Sequence, residues 1–146
     1  MKTQLWTIGP GSVDSSQFFR LLLSHFPDAT TLYAEGTSIE PDVHALFKAS
    51  AEEGAYLPGA QTIWPESVRF RCRFGAELCE QLARIAEHHA EPELFDHLFL
   101  YAGNDALFEW PDAFCNEMSI PSSLEEERVA KFAQSLGLPY ALQKYG

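Results

Sequence analysis

Hydrophobic and polar positions alternate along this chain with two different periods. The period of two is clearest at Val68-Arg69-Phe70-Arg71-Cys72-Arg73-Phe74, where the arginines share one side and Val, Phe and Cys the other, so the run predicts a half-buried strand. Similar but shorter runs predict strands at 5–8, 30–34, 96–102 and 106–110. The last two are joined by Gly103-Asn104-Asp105, a hairpin signal. Met118-Ser119-Ile120 reads as a brief extended piece and Tyr140 to Tyr145 as a closing strand.

Helical spacing appears four times. Phe18, Phe19, Leu22, Leu23 and Phe26 follow a capping-box-like Asp14 and Gln17 and stop at Pro27. Val43, Leu46, Phe47 and Ser50 follow Pro41, a residue suited to a first helical turn. Leu78, Leu82, Ile85, Ala86 and His89 recur up to Pro92. Val129, Phe132, Ala133 and Leu136 lie between the Ser-x-x-Glu boxes starting at Ser122 and Ser123 and a terminating Gly137. The order β-α-β-α-β-α-β-β-α-β predicts an α+β fold: one globular domain over 1–146, with a single mixed or antiparallel sheet and helices on one or both faces. The pattern does not set the strand order.

Composition supports a packed fold. The chain has 146 residues, 46% hydrophobic and 13% aromatic, and a domain of this size removes about 68–70% of its unfolded surface from water. Polar and charged residues interrupt the apolar stretches 18–26 and 94–107, so neither is expected to span a membrane, and the N-terminal apolar run is too short for a secretory signal. Cys72, Cys79 and Cys115 are odd in number and not closely paired, which points to reduced thiols and a cytoplasmic setting.

Charge narrows the function classes. The formal net charge is −11, which argues against a nucleic-acid partner, because phosphate backbones are gripped by basic footprints. The acidity is also uneven. Residues 1–73 carry 6 basic and 8 acidic side chains, whereas residues 74–146 carry 4 basic and 13 acidic ones.

Two constellations stand out. Arg69, Arg71 and Arg73 would stand roughly 7 Å apart on one strand face. They can clamp an anionic ligand, with the 55–67 loop as a lid, or pair with carboxylates on neighbouring strands, which is the more ordinary use of such a stripe. In the acidic half, Asp105, Glu109, Asp112 and Glu117 interleave with Phe108, Trp110 and Phe114. That combination describes a protein-binding surface for a basic partner, with aromatic anchors and electrostatic steering, unless the aromatics are taken by the core. The expected contact residues are Asp105, Glu109, Trp110, Asp112 and Glu117.

Other chemistry is weaker. His88, His89, Glu93 and His97 are the only local set with zinc-binding chemistry, but adjacent residues point about 100° apart on a helix, and no metal or cofactor is expected. Cys115 with one of the histidines lacks any motif for nucleophilic catalysis, and Gly9-Pro10-Gly11-Ser12 lacks the lysine and further glycine of a phosphate loop. An enzyme is therefore the lesser expectation. In size, acidity, reduced cysteines and absence of catalytic motifs, the chain resembles the small cytoplasmic immunity or inhibitor proteins that neutralise basic toxins such as nucleases. The resemblance implies a partner whose active surface is covered. A small-ligand protein or enzyme using the arginine face is the alternative, and a third reading makes the chain one subunit of a homo-oligomer.

Overall fold

The computed structural model describes residues 3–62, 64 and 66–145. Met1, Lys2, Ile63, Pro65 and Gly146 lie outside them. The elements are β1 (Thr3–Ile8), α1 (Ser15–His25), β2 (Thr31–Gly36), α2 (Pro41–Ala49), β3 (Val68–Arg73), α3 (Ala76–Ile85), β4 (His97–Ala102), β5 (Asp105–Trp110), β6 (Met118–Pro121), α4 (Glu126–Leu136) and β7 (Tyr140–Tyr145). This is the predicted α+β order, with the short piece at 118–120 realised as the full strand β6.

All seven strands form one antiparallel sheet in the order β3-β2-β4-β5-β6-β1-β7. β6 is what joins its two halves. It accepts β5 on one side through Glu109 opposite Ser119, and β1 on the other through Leu5 to Ile8 opposite Pro121 to Met118.

Alternation decides which face is buried under helices. Leu32 and Ala34 of β2, Leu98 and Leu100 of β4, Phe108 and Trp110 of β5 and Ile120 of β6 form one core with Phe18 and Leu22 of α1, Phe47 of α2, Leu82 of α3 and Phe132 of α4. All four helices therefore cover the same face. On the opposite face Tyr33, Phe99 and Tyr101 make a separate cluster, covered by the connection 50–67 through Tyr56.

The helix ends follow local chemistry, with two departures from the sequence reading. Asp14 caps α1 by accepting the Gln17 amide at 3.1 Å, and Gly137 closes α4 in the left-handed conformation. Ser122 and Ser123 do not cap α4, which starts one turn later behind Glu125 with no side-chain cap. α3 ends at Ile85, short of Pro92, and passes into short 3-10 turns at 86–88 and 91–93 that are separated by the extended backbone of His89 and Ala90. Among the described residues no helix is long and apolar enough to cross a membrane.

Candidate functional site

The arginines on β3 face away from the helices, as alternation requires, and two of them are already engaged. Arg69 Nε donates to Glu35 Oε1 at 2.7 Å, and its guanidinium also reaches the Thr62 carbonyl. Arg71 donates to Glu52 at 3.4 Å and to the Ala55 carbonyl at 3.0 Å. Each thus joins a carboxylate to a backbone carbonyl of the covering loop. Glu35 is 0% exposed and takes further hydrogen bonds from Ser67 Oγ at 3.0 Å and the Gln61 amide at 3.1 Å, with His97 Nε2 at 3.6 Å. Gly54 permits the arrangement in two ways: its φ is +139°, and a Cβ there would run into the Arg71 guanidinium. Arg73 is exposed and makes no side-chain bond among the described residues. The stripe is therefore chiefly the anchorage of the loop.

A cleft of about 600 Å³ opens at the end of β4 and β5 where the acidic connection 111–117 leaves the sheet. Glu91, Asp96 and Asp112 line it together with the rings of Phe95 and Phe114, and no lysine or arginine does among the described residues. Carboxylates in a concave site of low-dielectric walls reinforce one another's potential. Phe95 is buried and Phe114 packs on it at 5.2 Å, so the aromatic part of the wall is fixed.

The connection that shapes this cleft holds two non-glycine residues in the left-handed region, Asp112 at φ 49° and Phe114 at φ 71°. Such conformations cost about 1–3 kcal/mol each and persist where surrounding bonds dictate them. Those bonds are present: the Asp112 amide donates to His97 Nδ1 at 2.9 Å, the Ala113 amide to the Asp96 carbonyl at 2.8 Å, and the Trp110 indole to the Asn116 carbonyl at 2.9 Å. Asp96 is itself fixed by the backbone and hydroxyl of Thr37, both at 3.0 Å. Because Nδ1 of His97 accepts, its ring proton sits on Nε2, which faces Thr62 Oγ1 at 2.8 Å. Both ring nitrogens are then committed, leaving His97 no free base nitrogen for Cys115.

The five residues expected at a partner surface do not form one patch. Asp112 lines the cleft, and Glu117 follows the same connection. Asp105 is exposed at the opposite end of β5, about 17 Å away along a six-residue strand. Glu109 lies on the loop-covered face between Phe99 and Ser119, where burial raises its carboxyl pKa. Trp110 is corrected outright. It shares strand parity with Phe108, is 1% exposed, and packs on Phe18 at 4.9 Å and Phe114 at 4.7 Å, so it is core and offers no anchor.

The exposed tryptophan is Trp64, at 87%. It stands two residues after Thr62, which lines the cleft, and Leu57 of the same loop and Val68 at the start of β3 are also exposed. The loop's aromatic content marked it in the sequence, but no periodicity singled out this residue.

The histidines stay apart in function. His89 bridges Asp42 at 2.7 Å and Glu93 at 3.0 Å, whereas His97 belongs to the Glu35 network, and no group of three metal-ligating side chains occurs among the described residues. Cys72 and Cys79 are buried, and their thiols are pushed up to about 12 by burial; Cys115 is exposed at the cleft. In comparisons with known proteins, no family model, no curated protein and no solved structure matches the chain.

Proposed function

We propose that the protein is a binding module for a basic protein, acting as an immunity or inhibitor protein that covers the active surface of a toxin or enzyme. The observation that carries this reading is the convergence of Glu91, Asp96 and Asp112 on one aromatic-walled cleft, with the exposed Trp64 following its lining residue Thr62 by two positions in the chain. An arginine or lysine of the partner enters the cleft, its charge met by carboxylates and its stem by Phe114. Trp64 supplies the apolar anchor that the sequence assigned to Trp110. Acidic fields steer association, and a buried aromatic holds the complex.

The anionic-ligand alternative needs free cations on the β3 face, and Arg69 and Arg71 are held by Glu35 and Glu52. The test is capture from a lysate of the source cell at low and high salt. A basic protein retained at low salt and released at high salt is expected. Trp64→Ala should weaken its binding by about 30-fold, the effect of an anchor worth about 2 kcal/mol. Asp112→Lys with Glu91→Lys should slow association and flatten the salt dependence. A partner that binds both variants as tightly as the parent refutes this site.

A further inference from the structure

The two edges of the sheet are finished differently. The outer edge of β3 is occupied by the chain leaving α2: Ala51 bridges Cys72, the Glu52 amide donates to the Arg71 carbonyl at 2.9 Å, and the Arg73 amide to the Ser50 carbonyl at 3.0 Å. At β7 nothing among the described residues pairs with the outer edge. Its inner edge follows from the Gly9 amide, which donates to the Pro139 carbonyl at 2.9 Å. Counting along the antiparallel register, residues 141, 143 and 145 turn their backbone groups to β1, and Tyr140, Leu142 and Lys144 turn theirs outward.

These three outward residues also share the helix-covered face, and two apolar ones are partly exposed there: Tyr140 is 38% exposed and Leu142 40%. Lys144 is the strand's one charged residue. Open edges of this kind are templates for another strand unless charge, proline or a bulge blocks them.

We propose that β7 is a self-pairing edge, joining two copies of the chain about a two-fold axis through Leu142 into one continuous antiparallel sheet. This register places Leu142 opposite Leu142 of the second copy, and Tyr140 opposite Lys144. All three outward residues then exchange backbone hydrogen bonds, and both apolar side chains lie on the same face of the joined sheet. A shift by one residue would pair outward groups with inward ones, and a shift by two would leave one of the three outward residues without an outward partner in the strand, so this register engages the edge most fully.

Charge agrees with it. The Tyr140 hydroxyl donates to Glu126 Oε1 at 3.3 Å, so Lys144 of the second copy arrives beside a carboxylate at each end of the junction. The contact is isologous and closes on itself. It lies beyond β6 and β1 from the acidic cleft, and it does not depend on the partner reading above. Because each copy carries −11 overall, added salt should favour pairing by screening the long-range repulsion.

The test uses the full chain. Sedimentation velocity over a hundredfold concentration range should show a monomer–dimer equilibrium that strengthens with salt. Leu142→Pro should shift it to monomer, since it removes an outward amide and leaves the β1 ladder intact. Lys144→Glu should weaken the dimer by about tenfold, and adding Glu126→Lys should restore it. In a Cys115→Ser background, mild oxidation should link chains carrying Leu142→Cys and not those carrying Gln143→Cys, because residue 143 faces Ala141 of the second copy. The cysteine pair decides the matter even if Leu142→Pro fails to fold. A chain that sediments as monomer at every concentration overturns the proposal, as does a dimer that cross-links equally well from 142 and 143.

Discussion

Replacing Arg69 with methionine keeps most of the side chain's apolar stem and removes the cation that faces Glu35. Glu35 is fully buried and Arg69 is 38% exposed, with 2.7 Å between them. Removing one partner of a buried ion pair costs about 3–5 kcal/mol, since the other charge is left without compensation. Here Ser67 and the Gln61 amide continue to donate to the carboxylate, and water can approach from the exposed arginine side. The expected loss is therefore reduced to about 2–3 kcal/mol. For a chain of this length that lowers the melting temperature by about 5–10 °C. Urea denaturation with an unchanged slope is the primary assay, and proteolysis within 55–67 should accelerate in parallel, because Arg69 also holds the Thr62 carbonyl. Adding Glu35→Gln, which removes the charge and keeps an acceptor for Ser67, should return at least 1 kcal/mol of the loss. If Arg69→Met costs under about 0.5 kcal/mol, or if Glu35→Gln returns nothing, the pair does not anchor the loop and the reasoning fails.

Three further outcomes are expected. Trp110→Ala should destabilise the fold by about 3–5 kcal/mol, whereas Trp64→Ala should stay within about 0.5 kcal/mol, both read by urea unfolding; equal effects would contradict the burial assignment. Hydrogen bonds to Asp42 and Glu93 raise the His89 pKa above its ordinary value. Its stabilising contribution is thus full below about pH 6.5 and is lost as pH rises through the raised folded value, so melting temperatures from pH 5.5 to 8.5 should fall more steeply for the parent than for His89→Gln. A thiol reagent at pH 8 should titrate one cysteine, Cys115, in the native protein and all three in denaturant, because burial keeps Cys72 and Cys79 protonated.

Much of the fold was legible because local patterns and tertiary burial agree in this chain. The alternation at 68–74 became β3, the Asp14 cap opened α1, and Gly137 closed α4. What stayed hidden depends on partners distant in sequence. Nothing around Arg69 announces Glu35, 34 positions earlier, yet that pairing turns a possible ligand clamp into a loop anchor. The strand order rests on β6, a four-residue strand too short to show its role as the bridge between β5 and β1. Trp110 was misplaced although parity was available: it lies two residues after Phe108, so both side chains point to the face under the helices and Glu109 points away. The strained turn at 112–114 is made from ordinary residues, Asp and Phe, and carries no glycine to mark it.

The two arginine attachments at Ala55 and Thr62 have a consequence for how this protein can change. Closing a longer loop between fixed posts adds only about 0.6 kcal/mol for each doubling of its length. Between Ala55 and Thr62 the chain touches the sheet chiefly through Tyr56 and the Gln61 amide. Insertions at 57–60 therefore leave the seven strands and the core undisturbed. Descendants of this sequence can exchange that segment as an interchangeable cassette, reshaping what is presented beside Trp64 while inheriting the same scaffold.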